Sequence, residues 1–355
     1  MINVNSKDLL AGLKKLASAI NNPSIPILAN VRIIGNDSSN FLELFGSNLN
    51  QSIKTVIPCE SKSRIDTTIN YKKLVSICSN LPDGCLNIEM KGDIANLKCG
   101  KSKFKISCIP SENWPGDSLM AGPVEIFFDR SVFIKEVNNV FYAASKDESR
   151  PVLNGVLIDA ERDSLKLVAT DGKRLAMTEV INATQKQIQA IIPVSFLLDV
   201  CKNSDNEIKL LIDDSLIFAE SGNYSISSKL IEGKYPNYNQ IIPDKFESQV
   251  TINKYDLLNA VQRVSLILDN VQESVKLSFK DNELSVTAKT MDSASEKLSI
   301  DFIGEFELFY NPLFLIDAFK NSSGDTIDLN YNDKTSPTLI TCENLEYLVM
   351  PMRGN

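Results

Sequence analysis

Short runs of alternating apolar and polar residues, bounded by Asp, Asn, Gly or Ser, recur along most of the chain. Residues 41–45, 164–168, 207–212 and 283–287 show the period of two most plainly, which predicts strands with one buried face. Spacings of three and four are confined to a few segments. Those around Asp8, Ser131 and Tyr255 form one helical set, and those starting at Tyr71, Pro193 and Asn311 form a second. The pattern predicts a mixed α+β chain in which sheets dominate.

The two helical sets recur at a nearly constant interval. Asp8 and Asp256 stand 248 positions apart, two steps of 124, and Leu74, Leu197 and Leu315 are separated by 123 and 118. An aromatic–proline corner ends at Pro115 and again at Pro236, 121 positions later. Three independent landmarks therefore predict an internal repeat of strand, helix, several strands, helix, several strands. The alternative is a set of unrelated α+β domains with similar helix spacing. Boundaries fall near Gly122-Pro123 and near residues 244–250, giving domains 1–122, 123–247 and 248–355 without a low-complexity linker.

Charge and composition narrow the function. The chain of 355 residues carries a formal charge of -8, which disfavours a protein that grips nucleic acid over its whole surface. Yet the helical segments hold 11 cations against 5 acids, so the strands and loops carry the acidity. Helices sharing one face would offer phosphate an attractive field; the alternative is that Lys is simply a good helix former. The chain has no histidine, which removes Ser-His and Cys-His nucleophilic catalysis and His-ligated metals. Seven irregularly spaced cysteines, none in a C-x-x-C pair, fit free thiols in a reducing compartment. No apolar leader and no membrane-length apolar stretch is present, so a cytoplasmic location is expected.

Motifs for chemistry are weak. Gly100-Lys101-Ser102 lacks the earlier glycine of a phosphate-binding loop, since Ala95 stands there, and reads as a hairpin turn. Asp213-Asp214 reads as a hairpin tip rather than a metal site. In Thr170-Asp-Gly-Lys-Arg-Leu175, the Asp-Gly step predicts a tight turn, and Gly172 would let backbone approach a partner beside Lys173 and Arg174. The end of the chain, Tyr-Leu-Val-Met-Pro-Met-Arg at 347–353, is apolar and methionine-containing, and Pro351 forbids a regular central strand beyond Met350. No catalytic residue, metal ligand or cofactor is predicted. A metal-dependent enzyme using Asp or Glu and a β-rich scaffold without DNA are the alternatives from other classes.

These strings carry a resemblance. Arg-Pro-Val-Leu-Asn-Gly at 150–155, Ala-Thr-Asp-Gly-Lys-Arg-Leu-Ala at 169–176, Lys-Leu-Ile-Glu-Gly-Lys-Tyr-Pro-Asn-Tyr at 229–238 and the string at 347–353 occur in the order found in the bacterial DNA polymerase III beta subunits, with Ser24-Ile-Pro-Ile-Leu-Ala-Asn30 in support. The sequence resembles that family of sliding clamps over its whole length. The resemblance implies three similar domains, each of two helices on antiparallel sheets, and a head-to-tail homodimeric ring around duplex DNA. It implies processivity without catalysis and without sequence-specific contacts. Implied partners are the DNA polymerase III alpha subunit, the clamp loader, and other polymerases and repair proteins carrying short clamp-binding motifs.

By the same resemblance, a partner-peptide pocket is expected from Leu153, Thr170, Gly172, Lys173, Arg174, Leu175, Pro236 and Ile241 on one side. Asn311, Phe314, Leu348, Val349, Met350, Pro351, Met352 and Arg353 would form the other. Lys14, Lys15, Lys72, Lys73, Lys135, Arg150, Lys202, Lys254, Arg263 and Lys320 are expected to face DNA, and Phe104, Ile106, Leu266 and Ile267 to form the subunit interface. The chain departs from the family pattern at Lys173, where many relatives carry His, and at Asn22, Gln240, Gln272 and the terminal Gly354-Asn355.

Overall fold

A computed structural model describes residues 1–20, 25–37, 39–115, 124–161, 163–181, 187–270 and 273–353. Asn22, Ser24, Gln272, Gly354-Asn355 and the expected boundary at Gly122-Pro123 lie outside the described residues.

One order of elements occurs three times. The first pass is β1 (Ile2–Asn5), α1 (Ser6–Lys15), β2 (Asn30–Gly35), β3 (Phe41–Ser47), β4 (Gln51–Pro58), β5 (Ile65–Asn70), α2 (Tyr71–Asn80), β6 (Cys85–Lys91), β7 (Ile94–Cys99) and β8 (Ser102–Ser107). The second is β9 (Val124–Asp129), α3 (Arg130–Val140), β10 (Gly155–Ala160), β11 (Ser164–Thr170), β12 (Arg174–Ile181), β13 (Ile188–Pro193), α4 (Val194–Asn203), β14 (Glu207–Ile212), β15 (Leu216–Ser221) and β16 (Tyr224–Lys229). The third is β17 (Ser248–Asn253), α5 (Lys254–Val264), β18 (Val275–Lys280), β19 (Glu283–Lys289), β20 (Ser293–Ser299), β21 (Glu305–Tyr310), α6 (Pro312–Asn321), β22 (Thr326–Tyr331), β23 (Thr338–Cys342) and β24 (Leu345–Val349). The six predicted helices and the four strands singled out by alternation all form.

Five of the six strand-to-helix steps are punctuated by a short polar side chain; Pro193 stands before α4. Asn5, Asn70, Asn253 and Asn311 cap α1, α2, α5 and α6 through hydrogen bonds accepted from backbone amides of the first turn, and the Asp129 carboxylate does the same for Ser131. The helices then bury one stripe each, such as Leu9 and Leu13 in α1 and Leu257, Ala260, Val261 and Val264 in α5. Gly12 lets α1 lie close on its sheet: a Cβ there would stand 2.9 Å from Ile57 and Leu44 side-chain carbons.

The chain divides into two compact units, residues 1–131 with 195–230, and residues 132–194 with 231–355. Each unit contains one whole repeat and part of the second, because the second repeat gives its strands to two sheets. In the first unit, one antiparallel sheet runs β1-β6-β7-β8 and another runs β5-β2-β3-β4-β16-β15-β14-β9. In the second unit the orders are β13-β10-β11-β12-β24-β23-β22-β17 and β20-β19-β18-β21. Two-residue strands at Glu60–Ser61 and Ile109–Pro110 extend the two sheets of the first unit. The long sheets are each sewn from two repeats, with Thr55 opposite Tyr224 at the β4–β16 joint and Arg174 opposite Val349 at the β12–β24 joint.

Candidate functional site

The β12–β24 joint carries a pocket of about 60 Å³ within the second unit, lined by Thr170, Gly172, Lys173, Arg174, Leu175, Ile241, Leu348 and Met350. Its floor is apolar because two adjacent strands present facing leucines: Leu175 pairs with Leu348, and both are buried. Leu153, Leu157, Val168, Tyr235 and Tyr238 pack beneath them. The rim comes from a tight turn in which Gly172 takes φ 88°, a conformation that penalises any side chain. Asp171 closes that turn by accepting hydrogen bonds from the Lys173 and Arg174 amides, at 2.9 and 3.1 Å.

Arg174 fixes the turn to its surroundings. Its side chain is 9% exposed; the guanidinium donates to Asp317 Oδ2 at 2.8 Å, Asp171 Oδ2 at 3.2 Å and the Tyr142 carbonyl at 2.7 Å, and lies 4.4 Å from the Phe314 ring centroid. The neighbouring Tyr142 and Tyr347 hydroxyls are held protonated well above the usual tyrosine range, chiefly by burial. Arg174 is therefore a structural cation under the pocket, whereas exposed Lys173 is the cation offered at its mouth.

The other expected pocket residues take varied places. Asn311 caps α6, Phe314 supports Arg174, and Val349 is fully buried in the sheet. The strand stops at Val349 ahead of Pro351; beyond it the Met350 amide donates to the Lys173 carbonyl at 3.1 Å and the Met352 amide to the Phe309 carbonyl at 2.7 Å. Pro236, Gln240 and Arg353 are exposed and outside the pocket lining, and Leu153 lies beneath it. Sequence reading did not find Asp317 or Tyr142, which hold Arg174 from distant elements that no local pattern signals.

The cations expected to face DNA, on the helices and, for Arg150, on an adjoining loop, sort by environment. Lys14, Lys72, Lys73, Lys202 and Lys320 are exposed, and Lys15 lies over the Tyr224 ring at 5.8 Å. Lys135 pairs with Glu343 at 2.8 Å, Arg150 with Asp147 at 3.1 Å, and Arg263 with Glu296 at 2.5 Å. Lys254 corrects the expectation. It is 2% exposed, and its Nζ donates to the Ser322 carbonyl at 2.7 Å, so it holds the α5–α6 region together instead of offering charge to a ligand.

Of the expected interface residues, Phe104 is half-buried and Ile106 buried on β8, an edge strand whose cleft with α2 is also lined by Lys72, Lys73, Lys103 and Lys105. Leu266 is 83% exposed and Ile267 half-buried in a turn against β20, a second edge strand that sequence reading did not single out. Gly100 turns the β7–β8 hairpin with φ 56°, and the Asp213 carboxylate accepts from the Ser215 and Leu216 amides, so neither motif forms a ligand site. Among the described residues, no group of three His, Cys, Asp or Glu could hold a metal ion, and no helix is long and apolar enough to cross a membrane.

Comparison with known proteins follows the same threefold division. Residues 1–119, 128–237 and 239–353 match the N-terminal, central and C-terminal domains of the DNA polymerase III beta subunit. A beta sliding clamp of Synechococcus elongatus is 27% identical over 348 residues, 93% of each chain. The crystal structure of the Bacillus subtilis DNA polymerase sliding clamp matches with a TM-score of 0.93 at 21% identity, covering 100% of this chain and 99% of that one. A Pseudomonas aeruginosa sliding clamp bound to griselimycin matches with a TM-score of 0.93 at 24% identity over 99% of both chains. At these identities the two solved structures speak for the fold.

Proposed function

This chain belongs to the DNA polymerase III beta subunit family, and from that premise we propose that it encircles duplex DNA as a head-to-tail homodimer and seats partner tails in the β12–β24 pocket. It is a DNA sliding clamp, a processivity factor and not an enzyme. Its clamp domains span 1–122, 123–247 and 248–355.

The observation that carries ring closure is the unfinished strand pairing. The third repeat ends one half-sheet at β20 and the first repeat ends another at β8, in the positions that β4 and β16, and β12 and β24, occupy in the two completed joints. Pairing β20 of one copy with β8 of the next repeats the same joint and hides two otherwise aggregation-prone edges. Lys103 and Lys105 on β8, and Leu266 beside β20, then lie in the interface.

Exposed Lys14, Lys72, Lys73, Lys202 and Lys320, with Lys15, Lys135, Arg150 and Arg263, supply weak, sequence-blind attraction to phosphate. Tight pairing would stop sliding. The pocket takes apolar anchors from short peptides, with Leu175 and Leu348 as floor and Lys173 at the mouth. Its occupants are tails of the polymerase alpha subunit, the clamp loader and repair proteins, in the cytoplasm. A primer-extension assay on circular template tests this reading: with polymerase and clamp loader present, the wild type lengthens products per binding event, and a chain lacking residues 350–355 does not. Full stimulation by the shortened chain would place the peptide seat elsewhere.

A further inference from the structure

The β4–β16 joint repeats the architecture of the β12–β24 joint within the first unit. In place of the Gly172 turn it has a turn in which Leu49 holds φ 74°, an unusual conformation for a bulky residue. In place of Arg174 bonded to Asp317 and the Tyr142 carbonyl it has Gln51, whose Nε2 donates to Asp199 Oδ2 at 2.6 Å and to Ser18 Oγ at 3.4 Å. Asp199 and Asp317 are each the sixth residue of their helix. The framework has been kept.

The lining has not. Leu175, Leu348 and Met350 correspond through the strand registers to Ser52, Ser227 and Lys229. These three, with Ser47, Leu49, Leu216, Pro115 and neighbouring residues, enclose a cleft of about 200 Å³. Ser227 is 4% exposed and lines the cleft. Lys229 is exposed and, among the described residues, makes no ion pair and is the only charged residue of the lining.

We propose that this cleft is a second peptide seat, built for an acidic, hydrophilic segment where the first takes apolar anchors. A carboxylate of the segment meets Lys229, its backbone meets the Ser227 hydroxyl, and a small side chain rests on Leu49, Leu216 and Pro115. The inference rests on the β12–β24 pocket being a peptide seat, since it reads the duplicated framework by the same use. Two segments of one partner, or of two partners, would thereby be held on one chain, raising effective concentration without deepening either pocket.

The test titrates the full chain with two fluorescein-labelled peptides, Ser-Asp-Gly-Asp-Ser and one bearing Leu and Phe anchors, followed by anisotropy. The acidic peptide should bind saturably, lose about tenfold in affinity in Lys229→Glu, and keep its affinity within about threefold in Lys229→Arg. Ser227→Val should also weaken it. The Leu–Phe peptide should bind all three variants alike and should not displace the acidic one. Absence of saturable binding, equal affinity for Lys229→Glu, or displacement by the Leu–Phe peptide would overturn the proposal. Failure of the Leu–Phe peptide to bind wild type is a separate signal and would overturn the premise about the first pocket.

Discussion

Arg174 ties three parts of the second unit with one side chain: the turn before β12, helix α6 through Asp317, and the segment after α3 through the Tyr142 carbonyl. A planar fork stacked on Phe314 suits this role better than the point charge of lysine. Arg174→Ala removes charge-assisted bonds and leaves the Tyr142 carbonyl without that donor, so we expect a loss of about 2 kcal/mol in urea unfolding and weaker tail-peptide binding. Arg174→Lys should recover only part of either. Loss below about 0.5 kcal/mol, within the range of ordinary surface substitutions, would contradict the anchoring role. Local chemistry of this kind was partly legible beforehand. Asp-Gly before two cations signalled the turn, but Asp317 and Tyr142 reach Arg174 across 143 and 32 positions, which no local pattern encodes. Lys254 fails for the complementary reason: it lies on a helix as the other lysines do, and only the packing of Ser322 against it decides that its charge is used internally.

At the scale of elements, helices and most strands follow from local rules. Apolar stripes, Asn caps and alternating faces are short-range, and each predicted helix formed. Strand pairing is not short-range. The alternation in β20, Ser-Ala-Ser-Glu-Lys-Leu-Ser, is weakly apolar, so its position at a free edge emerged only with the sheet order. Two predictions belong here. Leu266→Asp replaces a side chain 83% exposed in the single chain, so folding should be unaffected. If that leucine is buried between copies, worth about 1.5–3 kcal/mol, sedimentation should show the dimer weakened at least about tenfold. An unchanged dimer would remove Leu266 from the interface. For DNA contact, Lys14→Glu with Lys202→Glu is the cleaner pair, because Lys72 and Lys73 share their cleft with edge strand β8. The reversed chain should dimerise normally and slide off or load poorly at moderate salt. Undiminished retention would count against α1 and α4 as DNA-facing.

For the molecule as a whole, an acidic protein that serves DNA is a contradiction only if binding means adhesion. With a charge of -8 spread mainly over strands and loops, phosphate would, on the proposed reading, be repelled from most of the surface and tolerated at the helices. A closed chain of sheets needs no strong contact, since leaving the duplex would require opening a joint. Adhesion would be broken by salt, as counterions compete for the phosphates, whereas a topological link would not. The direct test is to load the protein onto nicked circular DNA, raise the salt, and then linearise the DNA with a single cut. Encirclement predicts retention on the circle and release from the free ends after cutting; retention that is the same on circle and line would contradict it.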